Sequence, residues 1–271
     1  MTDEQFIATA GGGILYDASR LGKPGVELFS RSYWAERGAL AEIAGGRSSI
    51  AVLHVEGWPG LLRPEGPGPG AQQGGEQHRS GTNSCIGAGG TRWVLRHYRR
   101  GGLMAKVSQD SYLWTGAERT RSFREWRLLA ELRRRGLPVP APIAARYERG
   151  WLTYRADLIT EMLPGTRTLA EAIDGQDLPE AGWQAVGATI AAFHRQGVHH
   201  ADLNANNILI GANGTDVYLL DFDRGRIEPR GPWEQAVIAR LRRSLDKIKG
   251  QRPDVRFGDV QWRWLVAAVE Q

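Results

Sequence analysis

Two short segments hold the residues whose types and spacing could carry out chemistry. The first is His199-His200-Ala201-Asp202-Leu203-Asn204-Ala205-Asn206-Asn207-Ile208-Leu209-Ile210, and the second is Leu219-Leu220-Asp221-Phe222-Asp223. In order they give His-x-Asp-x-x-x-x-Asn, then a turn, then an Asp-Phe pair. This set suits phosphoryl transfer, in which a protein mainly positions groups and neutralises charge. Asp202 supplies a carboxylate to face an acceptor hydroxyl, and Asn207 and Asp221 supply hard oxygen ligands for Mg²⁺. His200 is better suited to bracing the loop through backbone hydrogen bonds than to acting as the base. Taken singly, an Asp or Asn between a helix and a strand is a common cap or turn residue. The joint pattern, with an apolar strand beside each half, is far more specific. A metal-binding His199–His200 pair is disfavoured, because adjacent histidines point apart and no cysteine cluster accompanies them.

The elements that must position these residues can be read from periodicity. Ile208–Ile210 and Val217–Leu220 are short apolar runs with Asn213-Gly214 between them, a strong hairpin signal. A hairpin brings its two ends together, so Asn207 and Asp221 converge. Upstream, Trp183, Val186, Ile190 and Phe193 form one helical stripe closed by Gly197. A second amphipathic helix is expected over Thr120–Arg135, where Phe123, Trp126, Leu129 and Leu132 recur and Gly136 stops the run. Strands are expected at Ala39–Ile43, Ser49–Val55, Trp93–Tyr98 and Leu152–Met162, the last ended by Pro164-Gly165. Leu137–Ile143 contains three prolines and must be extended. Trp233–Lys247 and Asp259–Val269 read as helices. Strands with one helix therefore precede a mostly helical part containing one hairpin, an α+β class. Gly57–Gly90 is rich in Gly and Pro and too poor in apolar residues to offset its ordering entropy, so it reads as a disordered insertion.

Composition bounds the rest. A chain of 271 residues suffices for one two-lobed domain, and the single cysteine, Cys85, excludes an intramolecular disulfide framework. No run approaches the roughly 18 apolar residues of a membrane span. Residues Met1–Ala10 carry two acidic and no basic side chains, unlike a secretory signal, so a cytoplasmic protein, or one bound to a membrane from that side, is expected. The net charge is +5 and only four cations are lysine, a balance that reads either as genomic base composition, since Ala, Gly and Arg are all abundant, or as a match to a phosphate- or carboxylate-rich partner. Nucleic-acid binding would rest on charge alone, since no RNA-binding signature or zinc finger is present. Arg240, Arg242, Arg243, Lys247 and Lys249 form a basic cluster that reads either as a solvated face or as a surface for anionic headgroups. Trp262 and Trp264 read either as packing residues or as a lipid contact. Arg99 and Arg100, beside Gly101-Gly102, could meet a substrate phosphate or carboxylate.

The catalytic-loop and Asp-Phe segments resemble the protein-kinase-like superfamily. Within it, Trp93–Lys106 (WVLRHYRRGGLMAK), Arg119–Leu132 (RTRSFREWRLLAEL), Gly136–Ala145 (GLPVPAPIAA), Tyr154–Glu161 (YRADLITE), His200–Leu209 (HADLNANNIL) and Tyr218–Arg224 (YLLDFDR) are similar to the 3-deoxy-D-manno-octulosonic acid (Kdo) kinase family. The resemblance implies a two-lobed fold: a small antiparallel-sheet N-lobe with one main helix over residues 1–163, and a mostly helical C-lobe over 164–271. It implies ATP with Mg²⁺, a Kdo–lipid A precursor phosphorylated at its 4-hydroxyl, and peripheral attachment to the cytoplasmic face of the inner membrane. No nucleic acid or protein partner is expected. By position, Asp202 would be the catalytic aspartate and Asn207 and Asp221 the metal ligands. Glu125 would pair with a strand cation, and Glu161–Leu163 would be the hinge toward adenine. The sequence departs from protein kinases in three places. Arg96 stands where a phosphate-contacting lysine is expected, with Lys106 as the other candidate. Asp223 replaces the glycine of Asp-Phe-Gly. Gly45-Gly46-Arg47-Ser48-Ser49 is a poor version of a glycine-rich phosphate loop. No Ala-Pro-Glu segment follows Asp223, which favours a small or glycan acceptor over a peptide. Other sugar kinases of the same fold, acting on a heptose or an aminoglycoside, and a non-catalytic basic binding protein are the alternatives.

Overall fold

A computed structural model describes residues 2–42, 50–58, 60–62, 91–99, 111–174 and 177–271. Its elements are β1 (Glu4–Thr9), β2 (Gly12–Asp17), α1 (Arg31–Glu36), β3 (Leu40–Glu42), β4 (Ile50–His54), β5 (Arg92–His97), β6 (Tyr112–Leu113), α2 (Arg121–Arg134), β7 (Pro142–Arg149), β8 (Thr153–Glu161), β9 (Thr166–Thr168), α3 (Leu169–Ala172), α4 (Glu180–Arg195), β10 (Val198–His199), β11 (Ile208–Gly211), β12 (Val217–Leu219), β13 (Arg226–Ile227), α5 (Trp233–Gln251) and α6 (Asp259–Val269). The chain is thus mixed α and β, with antiparallel sheets.

The main sheet has the order β1-β2-β7-β8-β5-β4-β3, with β6 added beside β8. It is larger than the small sheet expected, because the β1–β2 hairpin and β7 extend it. Its strands alternate, so successive side chains reach opposite faces. On β5, Trp93 and Leu95 join Ile14, Leu28, Trp34 and Leu53 in one buried cluster. Tyr98, just past the strand, belongs to the other cluster with Phe123, Trp126, Leu129 and Leu132 of α2. All four of those α2 residues are buried, which accounts for the helix lying against β7 and β8.

Of the stretch Gly57–Gly90 expected to lack structure, residues 57, 58 and 60–62 are described, with Trp58 and Leu61 packed on the main sheet's core, and the others lie outside the described residues. Trp58 sits between Trp34 and Trp93, with ring centroids 6.0 and 6.1 Å away, and Leu61 bridges Leu21. An aromatic side chain with two buried aromatic neighbours gains enough from burial to hold its backbone in place.

After β8 the architecture changes. β9, β11 and β12 form a separate three-stranded sheet, and β10 pairs with β13. Helix α4 buries Trp183, Val186, Ile190 and Phe193 and packs closely on α6. That approach depends on Gly187, where an added Cβ would lie 2.2 Å from the Leu265 carbonyl oxygen and 2.9 Å from Ala268 Cβ. Trp262 and Trp264 pack against the main core rather than standing out as a lipid-facing pair.

Gly187→Ala would gain about 1 kcal/mol of helix propensity. The clash is with backbone, which cannot swing aside, and overpacking of this kind costs about 1–3 kcal/mol. The expected outcome is a net loss of stability. Gly250→Ala, in the last turn of α5 with nothing near its added Cβ, is expected to stabilise. Thermal unfolding of the two variants checks both signs.

Candidate active site

The central loop runs from β10 to β11 and is held by its own polar side chains. The His200 ring is buried; its Nε2 lies 2.7 Å from the Leu220 carbonyl oxygen, and the Asp202 N–H donates to its Nδ1 at 3.3 Å. These contacts fit a neutral ring with the proton on Nε2. Burial pushes this imidazole below its ordinary value, which outweighs the opposite pull of the Leu220 carbonyl. His200 therefore joins the loop to the strand end that carries Asp221 and does not reach solvent. Phe222 locks against it, 4.6 Å from the His200 ring and stacked on Phe193 at 5.8 Å.

Asp202 presents its carboxylate outward while its backbone carbonyl accepts from Asn204 Nδ2 at 2.8 Å and Asn207 Nδ2 at 3.0 Å. Asn204 Oδ1 in turn accepts from the Asn206 N–H, which caps the short 3-10 turn Ala205–Asn207. The Leu220 N–H donates to the Asn207 carbonyl at 2.9 Å, so Asn207 and Asp221 meet at the open end of the β11–β12 hairpin. With its amide nitrogen engaged by Asp202, Asn207 keeps Oδ1 for a cation. Asp221 adds a carboxylate that is more than one-third exposed. A carboxylate and an amide oxygen are a fitting, though partial, donor set for Mg²⁺ beside phosphate oxygens.

Asp221 is also the one non-glycine with positive φ, 62°, among the described residues. Aspartate tolerates the left-handed region better than most residues, but such a conformation persists only where its surroundings fix it. Here they do. Arg96 donates through Nη1 to Asp221 Oδ1, and through Nη2 to Glu125 Oε2 and, at 3.0 Å, to the Tyr98 hydroxyl. Tyr98 donates to Glu125 Oε2 at 2.6 Å, and the Phe222 N–H donates to Glu125 Oε1 at 3.1 Å. Burial raises the Glu125 carboxyl despite Arg96. Burial also acts to raise Asp221, but the Arg96 guanidinium outweighs it and holds that carboxyl below its usual range. One position further on, Asp223 pairs with Arg121 at the start of α2.

Arg96, Glu125, His200, Asp202, Asn207 and Asp221 are thus brought into one neighbourhood. Glu161 lies at the end of β8, its carboxylate accepting from Arg20 Nη1 at 3.0 Å. The hinge expectation narrows. The N–H of Glu161 is taken by the Ala141 carbonyl and that of Met162 by Arg92, which leaves Leu163 to offer an N–H. Gly45, Gly46, Lys106 and Arg100 lie outside the described residues.

The basic cluster on α5 does not form one patch. Arg242 pairs with Asp246 and Asp259 and lies over the Phe257 and Trp262 rings. Arg240 instead reaches back to the Asp202 carboxylate, and Ser244 Oγ accepts from the Ala205 N–H at 3.2 Å. These contacts, with Tyr98 and Arg121, are the site features that motif reading missed. The repeat Arg240, Arg243, Ser244, Lys247 does mark one helical face, but nothing in it names the loop it meets.

The model of the lipopolysaccharide kinase (Kdo/WaaP) family matches residues 71–267. The chain belongs to this family. Curated relatives named 3-deoxy-D-manno-octulosonic acid kinase include one from Stenotrophomonas maltophilia strain K279a, 42% identical, and one from Xanthomonas axonopodis pv. citri strain 306, also 42% identical. Another, from Xylella fastidiosa strain M12, is 40% identical. Each alignment covers 89% of this chain and 83% of the relative. Among solved structures, the bifunctional kinase-methyltransferase WbdD aligns at 18% identity over 66% of this chain and 42% of its own, with a TM-score of 0.40. Membership of the Kdo/WaaP family makes this chain a phosphotransferase with a hydroxyl acceptor.

The fork of Arg96 bridges two carboxylates and a phenol, which a single ammonium cannot reproduce. Glu125→Gln removes the buried partner charge and is expected to cost about 3 kcal/mol or more. Arg96→Lys should lose less stability but should lower kcat, because Asp221 is no longer held. Thermal unfolding and steady-state kinetics on the two variants check the contrast; unchanged values for both would show that the triad positions nothing.

Proposed function

We propose that this chain transfers the γ-phosphoryl group of ATP to the 4-hydroxyl of a Kdo sugar attached to a lipid A precursor, in assembly of the lipopolysaccharide inner core. The observation that carries the chemistry is the meeting of Asp202, Asn207 and Asp221 around one hairpin. The names of the curated relatives support the acceptor. The fold in this reading is protein-kinase-like, with a boundary near Leu163, where the main sheet ends and β9 turns to pair with β11.

Asp202 would orient the acceptor hydroxyl and receive its proton as the bond to phosphorus forms. His200 keeps that carboxylate in place by gripping the loop backbone. Asn207 and Asp221 would hold Mg²⁺, which when bound would supply positive charge against the phosphate groups of the donor. Arg96 fixes Asp221 and carries positive charge near the same point, and Leu163 offers the hinge N–H to adenine.

Asp202→Ala is expected to lower kcat by about 10²- to 10⁴-fold, the usual contribution of a positioned base, with little change in unfolding temperature since the side chain is exposed. Transfer from labelled ATP to Kdo–lipid A precursor in detergent measures it. Undiminished transfer would remove Asp202 from the mechanism, and transfer by the wild type to other sugars but not to Kdo would change the acceptor.

Peripheral attachment to the inner membrane is part of this reading. No helix among the described residues is long and apolar enough to cross a membrane. Surface contact has support at the β7–β8 turn, where Trp151 is 89% exposed beside exposed Leu152 and Leu113, with Arg149 and Arg155 exposed nearby. Apolar side chains flanked by cations suit an anionic lipid surface. Trp151→Ser with Leu152→Ser is expected to reduce co-sedimentation with phosphatidylglycerol-containing vesicles and to leave turnover of detergent-dispersed acceptor intact. Equal sedimentation would place the contact elsewhere.

A further inference from the structure

Beside the Asp202 carboxylate lies a groove of about 690 Å³, formed between the loop and α5. Asp202 and Asn204 line one side, and Arg240, Arg243, Ser244 and Lys247 line the other. The spacing of these four helical residues puts them on a single face.

The charges on that face are out of balance. Elsewhere on and around α5, arginines are matched by carboxylates: Arg242 by Asp246 and Asp259, and Arg230 by Glu234. In the groove, three cations face one carboxylate. Arg240 is paired with Asp202, while Arg243 and Lys247 have no carboxylate partner among the described residues. Arg243 and Lys247 are also four positions apart on the helix, where like charges repel. The arrangement carries an electrostatic cost in the free protein that an oxyanion in the groove would remove. Arg240 can contribute as well, because a guanidinium has five donors and its bond to Asp202 leaves others free.

We propose that this groove is the acceptor subsite and that Arg243 and Lys247, with Arg240, bind an oxyanion of the acceptor. The inference rests on the reading that Asp202 faces the acceptor hydroxyl. Two sources of oxyanion fit: the ring carboxylate of a Kdo sugar, borne two ring carbons from the 4-hydroxyl, and a phosphate of the lipid to which the sugar is joined. In either case the cations set specificity by discriminating acidic acceptors from neutral sugars, and they do so through binding rather than through the transfer step. Ser244, which holds the loop through the Ala205 N–H, keeps the cations in register with Asp202.

The test is steady-state kinetics on the full chain with Arg243→Gln and Lys247→Gln, singly and together, varying ATP and acceptor separately. The double variant is expected to raise the acceptor KM by about tenfold or more, in line with the loss of charge-assisted hydrogen bonds, while the KM for ATP and the unfolding temperature stay unchanged. Arg243→Lys should recover part of the loss. Two modified acceptors separate the sources. If the carboxylate is the ligand, its methyl ester raises the wild-type KM and the double variant adds no further loss. If a lipid phosphate is the ligand, the dephosphorylated acceptor behaves so instead. An unchanged acceptor KM in the double variant, or a rise in the KM for ATP in its place, overturns the proposal. Wild-type turnover keeps the two readings apart: no transfer by wild type to a Kdo acceptor overturns the acceptor and this subsite with it. Wild-type transfer that the double variant matches overturns the subsite alone.

Discussion

The Arg96 guanidinium stands between a helix carboxylate, Glu125, and a loop carboxylate, Asp221, with the Tyr98 hydroxyl closing the ring. Taking charges out of water costs several kcal/mol per ion even after relaxation, and a lone pair often fails to recover it. A network fares better, because Arg96 and Glu125 each meet more than one partner and Glu125 also accepts the Phe222 N–H. Its contribution to net stability is modest, but its effect on geometry is large. A strand, a helix and a loop from three regions of the chain must be correctly placed before all three charges are compensated. Misplacing α2 by a fraction of a turn would leave the Glu125 carboxylate buried without its Arg96 counter-charge, at a cost of a few kcal/mol. Asp221 and Phe222 are thereby held by both β5 and α2.

This constraint explains how a left-handed aspartate can persist at the end of β12. Asp221 is gripped from one side by Arg96. From the other, His200 Nε2 donates to the carbonyl of the preceding residue, Leu220, and Phe222 fills the space between His200 and Phe193. The same buried imidazole fixes the N–H of Asp202. Asp202 and Asp221 thus share one neutral brace, a buried ring that links the loop to the end of β12.

Much of this was legible in the sequence, for a physical reason. The loop motif and the hairpin are local: Asn213-Gly214 and two apolar runs determine how Asn207 and Asp221 meet, and the apolar repeat in α2 determines which face carries Glu125. The β1–β2 hairpin was not legible. Its first strand alternates only weakly between exposed and half-exposed residues, and its second is buried almost throughout, so neither has a period-2 signature. β7 was hidden behind the prolines that precede it. The Arg240–Asp202 pair and the Arg121–Asp223 pair were not legible either, since each depends on how distant elements pack. A basic run on a helix reads as one patch until the neighbours of each face are known; here one face meets carboxylates and aromatic rings and the other meets the catalytic loop.

The replacement of glycine by Asp223 has its own consequence. In place of a flexible joint after Phe222, the chain has an ion pair to α2 through Asp223, while the Phe222 N–H is held by Glu125 of the same helix and Asp221 by Arg96 of β5. The chain then turns at Gly225, and β13 returns at once to pair with β10. Glu228 accepts from His199 at 2.6 Å, and Trp233 stacks on the same ring at 4.9 Å. The connection from Asp223 to α5 is short and is stapled at His199. Open beside Asp202 is the groove lined by Arg240, Arg243 and Lys247 on the cationic face of α5.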